Sequence, residues 1–289
     1  MLLLVVASCG KDQATKPKPT VIGDDIVFTR WESTDGITHL FVINADGTGL
    51  HQLTTDSLDD REPRWSPDGT KIAFIRVYSR DGDSANVSAI NADGTNLVRL
   101  TYEHPDANPS WSPDGSQISY QHGPLSPYTA DVWTMNADGT SPHLFMPADS
   151  TGGAVGVMWT SQNTLLGYEY FGLKLQLTPD ATHLTRVLRI DNTYYANPRL
   201  SPDGSTIAFC WTGPYGGDGP YIYTVKPDGT DMKQLTHGHD KNPIWSPDGS
   251  KIAYINEDFQ IWTMNADGTN AVQLTTRLTF GSDDLGDWK

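Results

Sequence analysis

A five-residue motif of an aromatic residue or leucine followed by Ser-Pro-Asp-Gly recurs along this chain at nearly even spacing, and it limits the possible folds more than any other feature. Full copies are Trp65-Ser66-Pro67-Asp68-Gly69, Trp111-Ser112-Pro113-Asp114-Gly115, Leu200-Ser201-Pro202-Asp203-Gly204 and Trp245-Ser246-Pro247-Asp248-Gly249. A degenerate copy is Trp159-Thr160-Ser161-Gln162-Asn163, and Trp288 falls in step, so the leading positions are 46, 48, 41, 45 and 43 residues apart. A second motif keeps pace with the first: Asn44-Ala45-Asp46-Gly47-Thr48 and its counterparts starting at Asn91, Asn136, Thr178, Lys226 and Asn265, the one at Thr178 weakened to Thr-Pro-Asp-Ala-Thr. In both motifs glycine accepts a positive φ, and in Pro-Asp-Gly the proline presets the turn, so the chain reverses tightly. Between the turns lie apolar runs rich in β-branched and aromatic residues, such as Ile72-Ala73-Phe74-Ile75 and Val132-Trp133-Thr134-Met135, which read as strands.

A period in the forties, with two tight turns and four strand-like runs per repeat, is the signature of a propeller with one four-stranded blade per repeat. The two ends fit a single register. Ile26-Val27-Phe28-Thr29 matches the strand that follows Ser-Pro-Asp-Gly elsewhere, while the C-terminal segment from Asp283 to Trp288 matches the strand that precedes it and then stops. The expected fold is therefore all-β: a six-bladed β-propeller of four-stranded antiparallel blades over residues 22–289, closed by pairing of the N- and C-terminal strands. Such closure removes a sheet edge that invites aggregation.

These motifs, with Gln-Leu-Thr at 52–54, 234–236 and 273–275, resemble the repeats of TolB-type β-propellers, named for the periplasmic component of the Tol-Pal system. The resemblance covers about residues 22–289 and implies a fold and an envelope setting more than an activity. TolB carries an additional N-terminal α/β domain that meets its inner-membrane partner, whereas here only a short tether precedes the repeats, so a Tol-Pal role is not expected.

The N-terminus adds a second resemblance. Residues 1–9 form an apolar stretch closing on Val6-Ala7-Ser8-Cys9, which is similar to the lipobox of bacterial lipoproteins and implies lipid attachment at Cys9. Eight apolar residues are too few to span a bilayer, so the segment targets rather than spans. Val6 stands where leucine is commoner, and the missing basic region points to a start codon placed too late. The other reading is a plain secretory signal with an incidental cysteine. Residues 10–21, rich in Lys and Pro, read as a polar tether. The second cysteine, Cys210, sits in an apolar run and is expected to be buried, so no disulfide framework is available. The implied location is the cell envelope, either the outer membrane facing the periplasm or the cell surface.

With 35 acidic and 20 basic residues the chain carries a formal charge of −15, which repels nucleic acid and anionic lipid. No Gly-x-Ser-x-Gly elbow, phosphate-cradling loop or Asp-x-Asp-x-Asp-Gly calcium ladder appears. In a propeller the uniform turns occupy one face and the variable loops the other, where specificity is usually placed. That face offers Trp31, Tyr78, Tyr128, Tyr170, Tyr195, Trp211 and Tyr215 as partner-binding anchors; the alternative is that such rings merely pack blades together. Three residues before the strand tryptophans lie Glu62, Asn108, Gly156, Asn197, Asn242 and Leu285, positions that would ring the channel mouth. The plainer account is that Asn-Pro and Glu-Pro shape the entry to a strand. The repeated Trp65, Trp111, Trp159 and Trp245 are expected in the core between blades.

The function these features indicate is a non-enzymatic scaffold that binds an envelope protein or peptide, as a monomer, with no cofactor and with the membrane reached by the lipid anchor alone. The alternative is a polysaccharide (uronate) lyase or hydrolase on the same face. It would use a metal held by His104, His122, His237 and His239 or a histidine and acid pair, although Arg30, Arg61, Arg80 and Lys241 are a thin basic supply for a uronate. A structural role in a surface layer is a third reading.

Overall fold

In a computed structural model the described residues are 25–32, 36–79, 84–123, 131–147, 154–160, 163, 165–169, 195–212, 219–276 and 281–289. They form five four-stranded antiparallel sheets, each a meander running from an inner to an outer strand, and one two-stranded sheet. The second repeat shows the plan: inner strand Asp59–Trp65, then Lys71–Val77, Ala85–Asn91 and the short outer strand Val98–Arg99. Repeats three, five and six follow it from inner strands Asp106–Trp111, Tyr195–Leu200 and Lys241–Trp245.

The first blade is assembled from both ends of the chain. Its inner strand is Gly281–Trp288, paired antiparallel with Asp25–Glu32 so that Ile26 lies opposite Trp288 and Phe28 opposite Leu285. Backbone bonds of 2.8 and 2.9 Å between Asp25 and Lys289 finish the pair. Closure by the terminal strands is thus as the ragged ends of the sequence require.

The expected count of six four-stranded blades is corrected to five among the described residues. The fourth repeat contributes only Ala154–Trp159 paired with Leu165–Glu169, and residues 170–194 lie outside the described region. This is the repeat whose Ser-Pro-Asp-Gly turn has lost both proline and glycine. Asn163 stands in for the turn glycine at φ 58°, its amide 3.1 Å from the Thr160 carbonyl, a conformation asparagine tolerates better than most residues.

The turns explain why the strands begin and end where they do. In the second blade Ser66 Oγ donates to Asp68 Oδ1 at 2.6 Å and accepts from the Lys71 amide at 2.9 Å, while Gly69 at φ 59° returns its amide to the Ser66 carbonyl. The Asn-Ala-Asp-Gly-Thr turns are held alike, with Asn44 Nδ2 on Thr48 Oγ1 at 2.9 Å and the Thr48 amide on Asp46 Oδ1 at 2.8 Å. The hydroxyls and amides around these carboxylates hold them below the ordinary range, down to about 2 for Asp114 and Asp248.

The core is distributed between blades. One apolar cluster joins Val27, Leu40 and Val42 of the first blade to Trp65, Ile72 and Phe74 of the second, and the others sit between blades in the same manner. The repeated tryptophans belong there: the indole N–H of Trp65 donates to the Asp25 carbonyl, Trp111 to Arg64 and Trp245 to Arg199, at 3.0 to 3.2 Å. Each large ring therefore buries its apolar surface and places its one donor on the backbone of the preceding blade. Cys210 is buried. Around the centre, 281–288 packs on 59–65, which packs on 106–111, which packs on 154–159; on the other side 281–288 packs on 241–245, which packs on 195–200.

Candidate functional site at the channel mouth

Four inner strands break their pleat at the same place. Glu62, Asn108, Asn197 and Asn242 hold φ between 51° and 55°, and each lies in a register shift against the neighbouring strand. These are β-bulges, which bend a strand and redirect a side chain. The proline that follows each one occupies a place where the ladder needs no amide. The dipeptide thus shapes the strand entry, with a bulge at each of these positions that redirects the side chain.

The side chains are linked across blades. The Asn108 amide donates to Glu62 Oε2 at 2.6 Å and its Nδ2 to Gln121 Oε1 at 2.5 Å. On the other side Asn197 Nδ2 donates to Asn242 Oδ1, and Asn242 Nδ2 to Asp284 Oδ1. Asp284 supplies the carboxylate at this point, because Leu285, the residue in register with Glu62, turns into the core. Asp284 touches channel solvent yet is enclosed by protein. That enclosure pushes its carboxyl up from the ordinary range, with Lys241, Asn242 and the more distant Arg64 and Arg199 pulling it down.

Outside this ring the loop face is tied down by a repeated buried clasp. Asp60 receives Nε and Nη2 of Arg76 at 2.7 and 2.8 Å, and Asp283 receives the same atoms of Arg30 at 2.5 and 2.9 Å. In the third blade His122 takes the arginine's place, with Nδ1 2.8 Å from Asp106 Oδ1, while Thr101 Oγ1 donates to the other oxygen. Burial pushes Asp60, Asp106 and Asp240 up, opposed by the hydrogen bonds of these partners.

This clasp decides the fate of the candidate metal ligands. His122 is engaged by Asp106 and has the His104 ring edge-on at 5.2 Å, whereas His237 lies 3.2 Å from Gln234 in a different blade and His239 sits beside Asp240. Among the described residues no group of three His, Cys, Asp or Glu side chains is placed to hold a metal.

The aromatic candidates divide. Trp31 is 40% exposed at the end of its strand. Tyr78 is half-buried, its hydroxyl 3.2 Å from Ser88 Oγ and its ring under the Arg99 guanidinium at 4.1 Å. Trp211 is buried, its ring edge-on to Tyr223 at 4.9 Å, so it presents little surface to a partner. Tyr195 begins the strand Tyr195–Leu200, but its side chain lies outside the described region, as do Tyr128, Tyr170 and Tyr215. Cys9 and the segments 1–9 and 10–21 also lie outside it. Among the described residues no helix is long and apolar enough to cross a membrane.

One residue that sequence reasoning passed over stands out. Phe259 is 47% exposed at φ 58°, with Lys241 Nζ 4.5 Å from its ring centroid. Its carbonyl accepts the Asp283 amide at 3.1 Å, which places it beside Asp284 at the channel mouth. A bulky residue at positive φ is a genuine outlier. The only hint in the sequence is that the Asn256-Glu257-Asp258-Phe259 turn ends on a ring where the other turns of the repeat end on glycine.

Comparison with known proteins agrees with the propeller fold. The TolB beta propeller domain family (PD40) matches residues 11–151. The structure is similar to TolB from Acinetobacter baumannii, at 15% identity and TM-score 0.75 over 91% of this chain and 67% of that one. It is also similar to a putative TolB from Agrobacterium tumefaciens, at 17% identity and TM-score 0.65 over 88% and 90%. An oligogalacturonate lyase from Vibrio parahaemolyticus matches at 12% identity and TM-score 0.57 over 86% and 73%. No curated protein matches the sequence. At these identities the solved structures attest the fold alone. By its repeats and by its fold, this chain is a TolB-like β-propeller.

Proposed function

We propose that this protein is a non-enzymatic scaffold of the bacterial envelope that binds a polypeptide at its channel mouth, held to the membrane by a lipid on Cys9. The observation that carries this reading is the linked ring of Asn197, Asn242 and Asp284, together with Asn108 on Glu62. Amide side chains both donate and accept, as a peptide backbone does, so a ring of them presents partners to an inserted segment without demanding one sequence. Beside the ring, exposed Trp31 and Phe259 supply rigid apolar contact of the kind that carries binding energy. In this proposal the protein acts as a monomer. The envelope setting rests on the lipobox-like Val6-Ala7-Ser8-Cys9 and on the TolB likeness.

The test is a pull-down from envelope extract with the full chain and with a Glu62→Gly, Asn108→Gly, Asn242→Gly triple variant. Glycine removes the side chains and keeps the left-handed backbone, which alanine would strain. A specific partner lost by the variant at unchanged circular dichroism supports the reading; a partner held equally by both proteins rejects the channel mouth as the site.

A further inference from the structure

The buried clasp of the loop face has four parts, and the sixth repeat keeps only three of them. In the second blade the hydroxyl of Thr54, from the preceding blade, bonds to Asp60. Arg76, opposite Asp60 in the strand register, forks onto the same carboxylate, and its guanidinium carbon lies 5.5 Å from the centre of the Phe74 ring. The first blade repeats this with Thr275, Asp283, Arg30 and Phe28, at 5.2 Å from guanidinium to ring. The third has Thr101, Asp106 and Tyr120, with His122 in the place of the arginine.

In the sixth repeat Lys241 pairs with Ile255, so Asp240 and Asn256 fall at the next place in the register. They stand 16 residues apart, as Asp60 does from Arg76 and Asp106 from His122. The Thr236 hydroxyl bonds to Asp240, and Tyr254 takes the position of Phe74; both Asp240 and Tyr254 are only 6% exposed. The cation is missing. Asn256 carries no charge, and its Oδ1 accepts the amides of Asp258 and Gln260 at 3.2 and 3.0 Å, within its own turn. Among the described residues Asp240 makes no ion pair. Burial pushes its carboxyl up, opposed by the Thr236 hydroxyl, the Gly238 amide and nearby His239, while Glu257 adds to the push. A buried carboxylate is costly without a paired charge, and the segments that flank this one, 237–239 and 257–259, are exposed. A planar guanidinium meets all three remaining parts, because it forks onto a carboxylate and stacks on an aromatic face.

We propose that Asp240, Thr236 and Tyr254 form an arginine-binding subsite in the sixth repeat, filled by a guanidinium of the bound polypeptide where the first two blades use their own Arg30 and Arg76. The subsite rests on the scaffold reading only in taking a polypeptide as the source of that arginine. It adjoins the mouth through Lys241 and Asn242, and the net charge of −15 draws a basic segment toward it.

The full chain is titrated by calorimetry at low ionic strength with N-acetyl-arginine amide, which has no free terminus, and with its uncharged citrulline isostere. The expected result is saturable binding of the arginine compound, weaker by about tenfold or more for citrulline and for Asp240→Asn, and unchanged in Glu103→Gln, which alters an exposed carboxylate elsewhere on the loop face. Asn256→Arg supplies the cation from within the chain. It is expected to abolish binding of the arginine compound and to raise Tm by about 2–4 °C, neither of which Asn256→Gln does. Absence of saturable binding by wild type, equal binding of the arginine and citrulline compounds, or undiminished binding by Asp240→Asn at wild-type circular dichroism overturns the subsite. So does an Asn256→Arg variant that binds arginine as wild type does. These measurements use no envelope partner, so their outcome stands apart from the pull-down with the glycine triple variant, which reads the mouth.

Discussion

Nε and Nη2 of Arg30 close on the two carboxylate oxygens of Asp283 across 253 residues of chain, and both side chains are buried. This pair lies within the blade that joins the two ends of the protein, so it guards the closure of the ring. Removing one partner leaves an uncompensated buried charge, which costs about 3–5 kcal/mol. Arg30→Ala is expected to lower stability by that amount in urea unfolding, and a loss under about 1 kcal/mol would show that water relieves the stranded carboxylate.

At the mouth the backbone and the side chain make separable contributions. Asn242 sits at φ 55°, so Asn242→Gly keeps the bulge, whereas Asn242→Ala adds a left-handed penalty of about 1–2 kcal/mol. Thermal unfolding is expected to rank alanine clearly below glycine, with partner binding reduced in both. The reverse ranking would mean that the bulge does not hold residue 242 in the left-handed conformation.

Phe259 keeps an exposed ring at φ 58°, a strained arrangement that contributes nothing evident to packing. Asparagine tolerates that conformation, so Phe259→Asn is expected to change stability by no more than about 0.5 kcal/mol while weakening partner capture. Equal capture by the variant would remove the ring from the binding surface.

The turn carboxylates predict a pH dependence. Asp248 is held at about 2, against 3.8 for an unperturbed aspartate, first by the Ser246 hydroxyl and then by the Ser250 amide and hydroxyl. A carboxyl whose pKa falls on folding contributes stability above its unfolded value and loses it as pH drops through the folded one. Asp248→Asn keeps an acceptor without the charge. The gap in Tm between wild type and variant is expected at neutral pH and closes as pH falls from about 4 to about 2; a gap that persists at pH 2 would trace the difference to geometry instead of charge.

Much of this molecule is legible in the chain because its turns are local. Ser66, Asp68 and Gly69 bond within the same five residues, so their spacing reports strand boundaries directly, and the placing of Trp65, Trp111 and Trp245 between blades follows from their period. Trp211 shows the limit: it looks like a loop anchor in the sequence and is buried against Tyr223 in the structure, because its strand runs one residue further than the loop pattern implies. His122 shows another. It reads as a free loop histidine, yet it fills the clasp position that arginine holds in the first two blades. The three positions stand 46 residues apart in phase with the repeat, but their aspartate partners become visible only once the strands are paired.

The order of strands and the turn chemistry were determined by the sequence alone, since each depends on residues a few positions apart repeated in phase, and that phase carried to both ends points to the pairing of the terminal strands. The link from Asn242 to Asp284 and the placing of Arg64 and Arg199 on one cavity were decided by the tertiary structure. Those residues stand 42 and 135 positions apart, and only the closing of the blades around one channel brings their charges and amides to a common space.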